Sequence, residues 1–216
     1  MNRTHLLLTL TCLSAVTFAH AADRDCLFQV STLDALLAGV YDSAVTVGEL
    51  RQHGDTGLGC FAALDGEMVV LDGKFYQVRA DGSVHRVLGR AGSPFAAVTF
   101  LDRDREIALD QPLDLKALTT LLDAQLPSRN LFCVFRLEGE FEYVKTRSVP
   151  RQRKPYPKLA DVAATQPTFE FSRVRGSLVG LFCPYFTAKA VACAGDSPRT
   201  RKDGSLLSFS RDDGSG

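Results

Sequence analysis

Apolar residues recur along this chain at two spacings. Leu33, Leu36, Leu37 and Val40 follow the helical spacing of three and four behind Ser31-Thr32, whose hydroxyls can accept the unpaired first-turn amides. Gly39 supplies a stop, so a short capped helix is predicted there. Leu115, Leu118, Leu121, Leu122 and Leu126, introduced by Asp110-Gln111-Pro112-Leu113-Asp114, put one leucine face on a longer helix. Elsewhere the runs are short and punctuated by glycine. Residues 68–71 pass through Asp72-Gly73 into 75–78, and Asp81-Gly82 precedes Val84, Arg86 and Leu88. Asp-Gly suits the positive φ angles of a tight hairpin turn, so a meander is predicted. Residues 96–100 predict another strand. Residues 131–137 predict a strand that Gly139 turns into 141–144, and 169–174 and 177–182 predict a pair joined at Arg175-Gly176. Strands outnumber singly inserted helices, which gives an α+β class with mixed or antiparallel sheets.

The two ends break this pattern. Arg3 and His5 precede an apolar run from Leu6 to Phe18 that closes on Ala19-His20-Ala21. A run of about 13 residues is shorter than the roughly 20 a membrane-spanning helix needs, so residues 1–21 read as a secretory signal peptide. Export to the periplasm or the medium is the expectation. From Gly195 to Gly216 the large apolar residues are Leu206, Leu207 and Phe209 alone. Such a stretch buries too little surface to offset its ordering entropy and is expected to be disordered or weakly docked. The predicted organisation is a leader over 1–21, one domain over 22–191 and a divergent tail over 192–216.

Lysine plus arginine and aspartate plus glutamate number 25 each among 216 residues, and 45% of residues are apolar. A packed core follows. Binding of nucleic acid or an anionic membrane through overall charge is excluded as a default. Behind the leader, which carries Cys12, stand Cys26, Cys60, Cys133, Cys183 and Cys193, an odd number with no CxxC spacing. They are expected to be mostly small buried residues rather than a disulfide framework.

Candidate chemistry is sparse. Gly57-Leu58-Gly59-Cys60-Phe61-Ala62 has the form of a dinucleotide fingerprint, yet residues 49–56 before it are too polar for a buried strand and no long helix follows. No G-x-S-x-G is present, and the mature chain offers only His53 and His85 as imidazole bases, both in polar, turn-like surroundings. Arg147, Arg151, Arg153 and Lys154 cluster among Pro150, Pro155, Tyr156 and Pro157. They read as a solvated, proline-stiffened loop, or as a loop whose first arginine clamps a carboxylate.

Several longer motifs add a resemblance. Residues 29–42 (Gln29-Val30-Ser31-Thr32-Leu33-Asp34 through Gly39-Val40-Tyr41-Asp42), Gly57-Leu58-Gly59, Leu64-Asp65-Gly66-Glu67, residues 71–78, Leu126-Pro127-Ser128-Arg129-Asn130-Leu131-Phe132 and Lys145-Thr146-Arg147-Ser148-Val149-Pro150 resemble the alpha-acetolactate decarboxylase family from about Leu27 to Val191. The resemblance implies two subdomains of mixed or antiparallel sheet with few helices, the C-terminal one incomplete. It implies non-redox decarboxylation of 2-acetolactate to acetoin, the chemistry of acetoin biosynthesis. In that family a zinc ion on three histidines draws off the charge that builds as carbon dioxide leaves. By motif, Glu67 matches the family's pocket glutamate, with general acid/base duty, and Arg147 its substrate-side arginine. Cys60 stands where the family usually has a threonine beside the pocket.

The sequence departs from the family after Val191. Where the family has His-x-His, a third histidine and a later glutamate, this chain runs Ala192-Cys193-Ala194-Gly195-Asp196-Ser197-Pro198, and no histidine follows His85. It resembles the family again briefly at Leu206-Leu207-Ser208-Phe209. A shift of reading frame after Val191, reversed near Leu206, is the expected origin. The expectation is therefore a decarboxylase by descent with impaired turnover: zinc is the family's cofactor, its ligands are absent, and 2-acetolactate is the partner molecule. Neither nucleic acid nor membrane is an expected partner, and a homodimer is the oligomer carried forward. The alternatives are a non-catalytic exported module that holds a small carboxylate through Arg147, and an unstable product with uncovered apolar faces.

Overall fold

The computed structural model describes residues 24–128 and 130–182 in full, together with the backbone of strands at 6–13 and 205–211. In chain order the strands are β1 (Leu6–Leu13), β2 (Phe28–Val30), β3 (Val45–Thr46), β4 (Thr56–Cys60), β5 (Glu67–Leu71), β6 (Lys74–Val78), β7 (Val84–Arg86), β8 (Gly92–Ser93), β9 (Phe95–Thr99), β10 (Arg105–Leu109), β11 (Phe132–Arg147), β12 (Thr168–Phe182) and β13 (Ser205–Arg211). Four helices are interspersed: α1 (Leu33–Leu37), α2 (Val47–Leu50), α3 (Leu115–Gln125) and α4 (Leu159–Ala163). Every described ladder is antiparallel. Two large sheets result, one ordered β2-β9-β4-β5-β6-β7 and the other β10-β1-β11-β12-β13.

Period-2 alternation assigns the two faces of each sheet. Val69 and Leu71 of β5, with Leu58 and Ala97, meet Val134, Val179 and Leu181 of the second sheet, so the sheets pack face to face. The other parity of the first sheet, Met68, Val70, Phe75, Ala96 and Val98, packs on Val47 and Leu50 of α2. On the second sheet Cys133, Phe135 and Leu137 receive Leu118 and Leu122 of α3. Sheets covered on both faces explain why β5 and β9 read as unbroken apolar runs rather than alternating ones.

The short-range expectations match what is seen. Asp72 and Gly73 take φ of 48° and 68° between register partners Leu71 and Lys74, a two-residue hairpin. Thr32 caps α1 by accepting from the Ala35 amide at 3.2 Å, and Asp114 caps α3 by accepting from Ala117 at 2.7 Å. Gly57 and Gly59 lie inside β4, where an added Cβ would come within 2.3 Å of the Ala97 carbonyl and 2.5 Å of the Phe95 carbonyl. Close approach of β9 thus accounts for the glycines that mimic a dinucleotide motif. Cys60 and Cys133 are buried and Cys26 is exposed.

Two expectations are corrected. The turn placed at Gly139 does not occur: β11 is one strand of 16 residues. The turn at Arg175-Gly176 is likewise absent, and β12 is one strand of 15. Gly139 and Gly176 are register partners in the middle of a single long ladder, where pairing overrides the breaker tendency of an isolated glycine. Within the tail, the backbone of Ser205–Arg211 forms an edge strand against β12. Residues 183–204 and 212–216 lie outside the described residues, so the tail's remaining segments and its side chains have no structural account. Residues 6–13, from the run read as a leader, form β1 between β10 and β11.

Candidate functional site

Glu67 opens β5 directly after a tight link from β4. That link, Phe61 to Gly66, contains a single 3-10 turn in which Ala63 and Leu64 sit at positive φ, 58° and 53°. Left-handed backbone costs a residue with a Cβ of order 1 kcal/mol and persists only where surroundings enforce it. Here the Ala63 amide donates to the Tyr41 carbonyl at 2.8 Å, and the Gln152 amide donates to the Ala63 carbonyl at 2.7 Å. The result is a register in which Cys60 and Glu67 are direct cross-strand partners.

Arg147 arrives from the other sheet. It ends β11, and Ser148 after it is fully buried, its hydroxyl donating to the Val78 carbonyl at 2.6 Å and its amide to the Pro167 carbonyl at 3.2 Å. Val78 is the β6 register partner of Glu67, so one hydrogen bond docks the end of the long ribbon beside the glutamate. The Gln166 amide, with its carbonyl oxygen turned toward the guanidinium, accepts from Arg147 Nε at 3.2 Å and Nη1 at 3.0 Å. Cys60, Glu67 and Arg147, singled out from sequence, are thus brought together.

Their electrostatics divide the work. Burial pushes the Glu67 carboxyl up to about 7, and the positive charge of Arg147 acts in the opposite direction with less effect. Among the described residues no hydrogen bond holds this carboxyl, and no ion pair within 4.0 Å joins it to Arg147. The two heads sense each other's charge while both stay open to a third group. Burial, and then the Glu67 charge, push the Cys60 thiol well up; the thiol donates weakly to the Phe95 carbonyl at 3.9 Å. It is therefore a neutral wall residue, neither nucleophile nor thiolate ligand.

Tyr41 was not singled out. Its ring is fully buried with Cys60, Leu64, Phe95 and Val149, and among the described residues its hydroxyl has no partner. Burial, with Cys60 and Asp161 adding to it, pushes this phenol up to about 12 and keeps it neutral. Its place in the 29–42 motif was the available signal. Gln166 was missed as well, and an isolated glutamine before a proline gives none.

The other candidates fall away from this place. His53 is exposed and stacks on Phe28 with centroids 3.8 Å apart, and His85 is exposed with Ser83 Oγ 2.9 Å from Nε2. Lys154 of the basic loop donates to Asp42 at 2.7 Å, where Tyr156 also donates at 3.3 Å, so this part of the loop is a brace. Among the described residues no three of His, Cys, Asp and Glu gather as a metal set. One carboxylate beside one neutral thiol does not fit a three-histidine zinc centre.

Comparison with known proteins bears on the family and the fold. The sequence model of a family described as Alpha-acetolactate decarboxylase matches residues 27–196. The chain is similar to the alpha-acetolactate decarboxylase of Methanosarcina mazei, 49% identical over 162 residues, which are 75% of this chain and 56% of the relative. It is 46% identical over 160 residues to that of Methylococcus capsulatus, covering 74% of this chain and 62% of the relative. Its matched part therefore spans less than two thirds of either relative. Among solved structures, alpha-acetolactate decarboxylase from Bacillus subtilis strain 168 superposes with a TM-score of 0.78 at 37% identity, over 85% of this chain and 74% of that one. A Staphylococcus aureus protein of unknown function, described as similar to the same enzyme, gives 0.79 at 28% identity over 86% and 75%.

Proposed function

The chain belongs to the alpha-acetolactate decarboxylase family, and on that premise we propose that its pocket takes 2-acetolactate, Arg147 holding the carboxylate and Glu67 handling the proton. The observation that carries this reading is the juxtaposition of a carboxyl near neutrality, unpaired among the described residues, with a cation that it senses without an ion pair. A group balanced near pH 7 is suited to give or take a proton at physiological pH. Decarboxylation breaks the bond between the carboxylate carbon and C2; its electron pair moves toward the ketone to form an enediolate, carbon dioxide leaves, and a proton added at C2 gives acetoin. Arg147 would orient the carboxylate, Glu67 would deliver the proton, and the Cys60 and Tyr41 walls would exclude water.

The zinc ion of the family supplies charge stabilisation at the ketone and hydroxyl oxygens when bound. The residues described at this site do not fit it, and no histidine follows His85 in the sequence. We therefore assign this polypeptide substrate binding with slow turnover at most, and the donor set favours a carboxylate-binding module as the second reading. Export follows from the leader-like N-terminus as a further part of the proposal, and a homodimer is kept as its oligomeric state. The test is an acetoin assay on zinc-loaded full-length protein with the metal quantified. Less than one zinc per chain and little acetoin are expected; one zinc per chain with rapid turnover would overturn the assignment.

A further inference from the structure

We propose that Gln166 is a positioning residue that aims Arg147 at a substrate carboxylate without neutralising it, an inference that rests on the pocket reading above. The observation is a contrast with three basic side chains that carboxylates pair, set beside surface Arg105, which Gln125 meets at 2.6 Å. Arg136 is paired with Asp72 at 2.6 Å and with Glu138; Lys145, two residues before Arg147 on the same strand, is paired with Glu170 at 3.1 Å; Lys154 is paired with Asp42 at 2.7 Å. Each of these cations has a carboxylate as its charge partner. Arg147 is met instead by an amide carbonyl, which accepts from Nε at 3.2 Å and Nη1 at 3.0 Å.

A neutral acceptor fixes the plane of a guanidinium and leaves its charge intact. Two of its five N–H groups go to Gln166, and a bidentate carboxylate needs two of the remaining three. Gln166 is itself held at the point where the ribbon docks: the carbonyl of Pro167 accepts the Ser148 amide at 3.2 Å, and Thr168 is the register partner of Arg147. The glutamine, the arginine and the Ser148 anchor therefore move as one unit. A glutamate at 166 would make the ion pair that Arg136, Lys145 and Lys154 already have, and the site would lose its affinity for anions.

The experiment uses the full chain and two variants, Gln166→Glu and Gln166→Met, with 2-hydroxy-2-methylpropanoate as a probe that cannot decarboxylate. Probe affinity is read by NMR titration, and Glu67 is followed by carboxyl-carbon NMR against pH. Gln166→Glu is expected to weaken the probe by about tenfold or more, as expected for cancelling a charge-assisted pair. It should also raise the Glu67 midpoint, because the charge that holds that midpoint down is cancelled. Gln166→Met keeps the charge and loses the acceptor; a weakening of about threefold is expected with the Glu67 midpoint little changed. If Gln166→Glu does not fold, Gln166→Met decides alone. Wild-type affinity in both variants, with only the melting temperature lowered, would overturn the proposal. Should Arg147→Met bind the probe as tightly as wild type, the pocket reading itself fails, which separates the two.

Discussion

The two sheets are put together in opposite ways. In the six-stranded sheet β5, β6 and β7 follow one another through short turns, and the Asp-Gly signals that make those turns are visible in the sequence. The five-stranded sheet gathers segments from both ends of the chain, with β1 between β10 and β11 and β13 at one edge. The candidate site lies across this difference: Cys60 and Glu67 belong to the locally wired sheet, and Arg147 and Gln166 come from the end of a ribbon whose sheet depends on distant strands. The carboxyl side of the pocket should therefore be robust, and the cationic side sensitive to events far along the chain.

The sharpest way to break the comparison is to delete residues 6–13. β10 reaches its sheet through β1, and β11 loses the partner of residues 132–138. A loss of about 4 kcal/mol or more, roughly 10 °C in melting temperature for a domain of this size, is expected by calorimetry. Hydrogen exchange should rise in β10 and β11 and stay unchanged in β5 and β6. An exported chain cut after Ala21 would lose the same strand.

Arg147→Met comes next. It should cost about 2 kcal/mol of carboxylate binding, some thirtyfold, read by titration with little change in melting temperature. Glu67→Gln tests the other side through pH. The folded midpoint of Glu67, about 7, lies above its ordinary value of 4.5, so the folded state resists ionisation. Its contribution is neutral below pH 4.5, becomes destabilising as pH rises from there to 7, and is fully destabilising above. Melting temperature relative to Glu67→Gln should fall over that interval and level off by pH 8. The smallest effect belongs to Tyr41→Phe, which removes a buried hydroxyl with no partner. Stability should be unchanged or greater by up to about 1 kcal/mol in denaturant unfolding.

Legibility in the sequence follows the same divide. Asp72-Gly73, a cap at Ser31 or Thr32 and the leucine face of α3 are local signals that appear in the structure, the cap falling on Thr32; Asp114 caps α3 from the run that introduces it. Gly139 and Gly176 misled because a breaker is a local signal, whereas their pairing across β11 and β12 is not. β13 contains only Leu206, Leu207 and Phe209 as large apolar residues, and its strand conformation comes from the β12 edge rather than its own composition. Glu67 and Arg147 were legible through family motifs. Their separation without contact, and the neutral partner given to Arg147, depend on how the ribbon docks on Val78, which no local pattern encodes.

The candidate site pairs a carboxyl held near neutrality with a cation placed to take an anion. Carbon NMR of the Glu67 carboxyl against pH, on the full chain with and without 2-hydroxy-2-methylpropanoate, addresses this directly. A midpoint of about 7 that rises when the probe engages Arg147 is the predicted result. A midpoint in the ordinary carboxylate range that ignores the probe would contradict it.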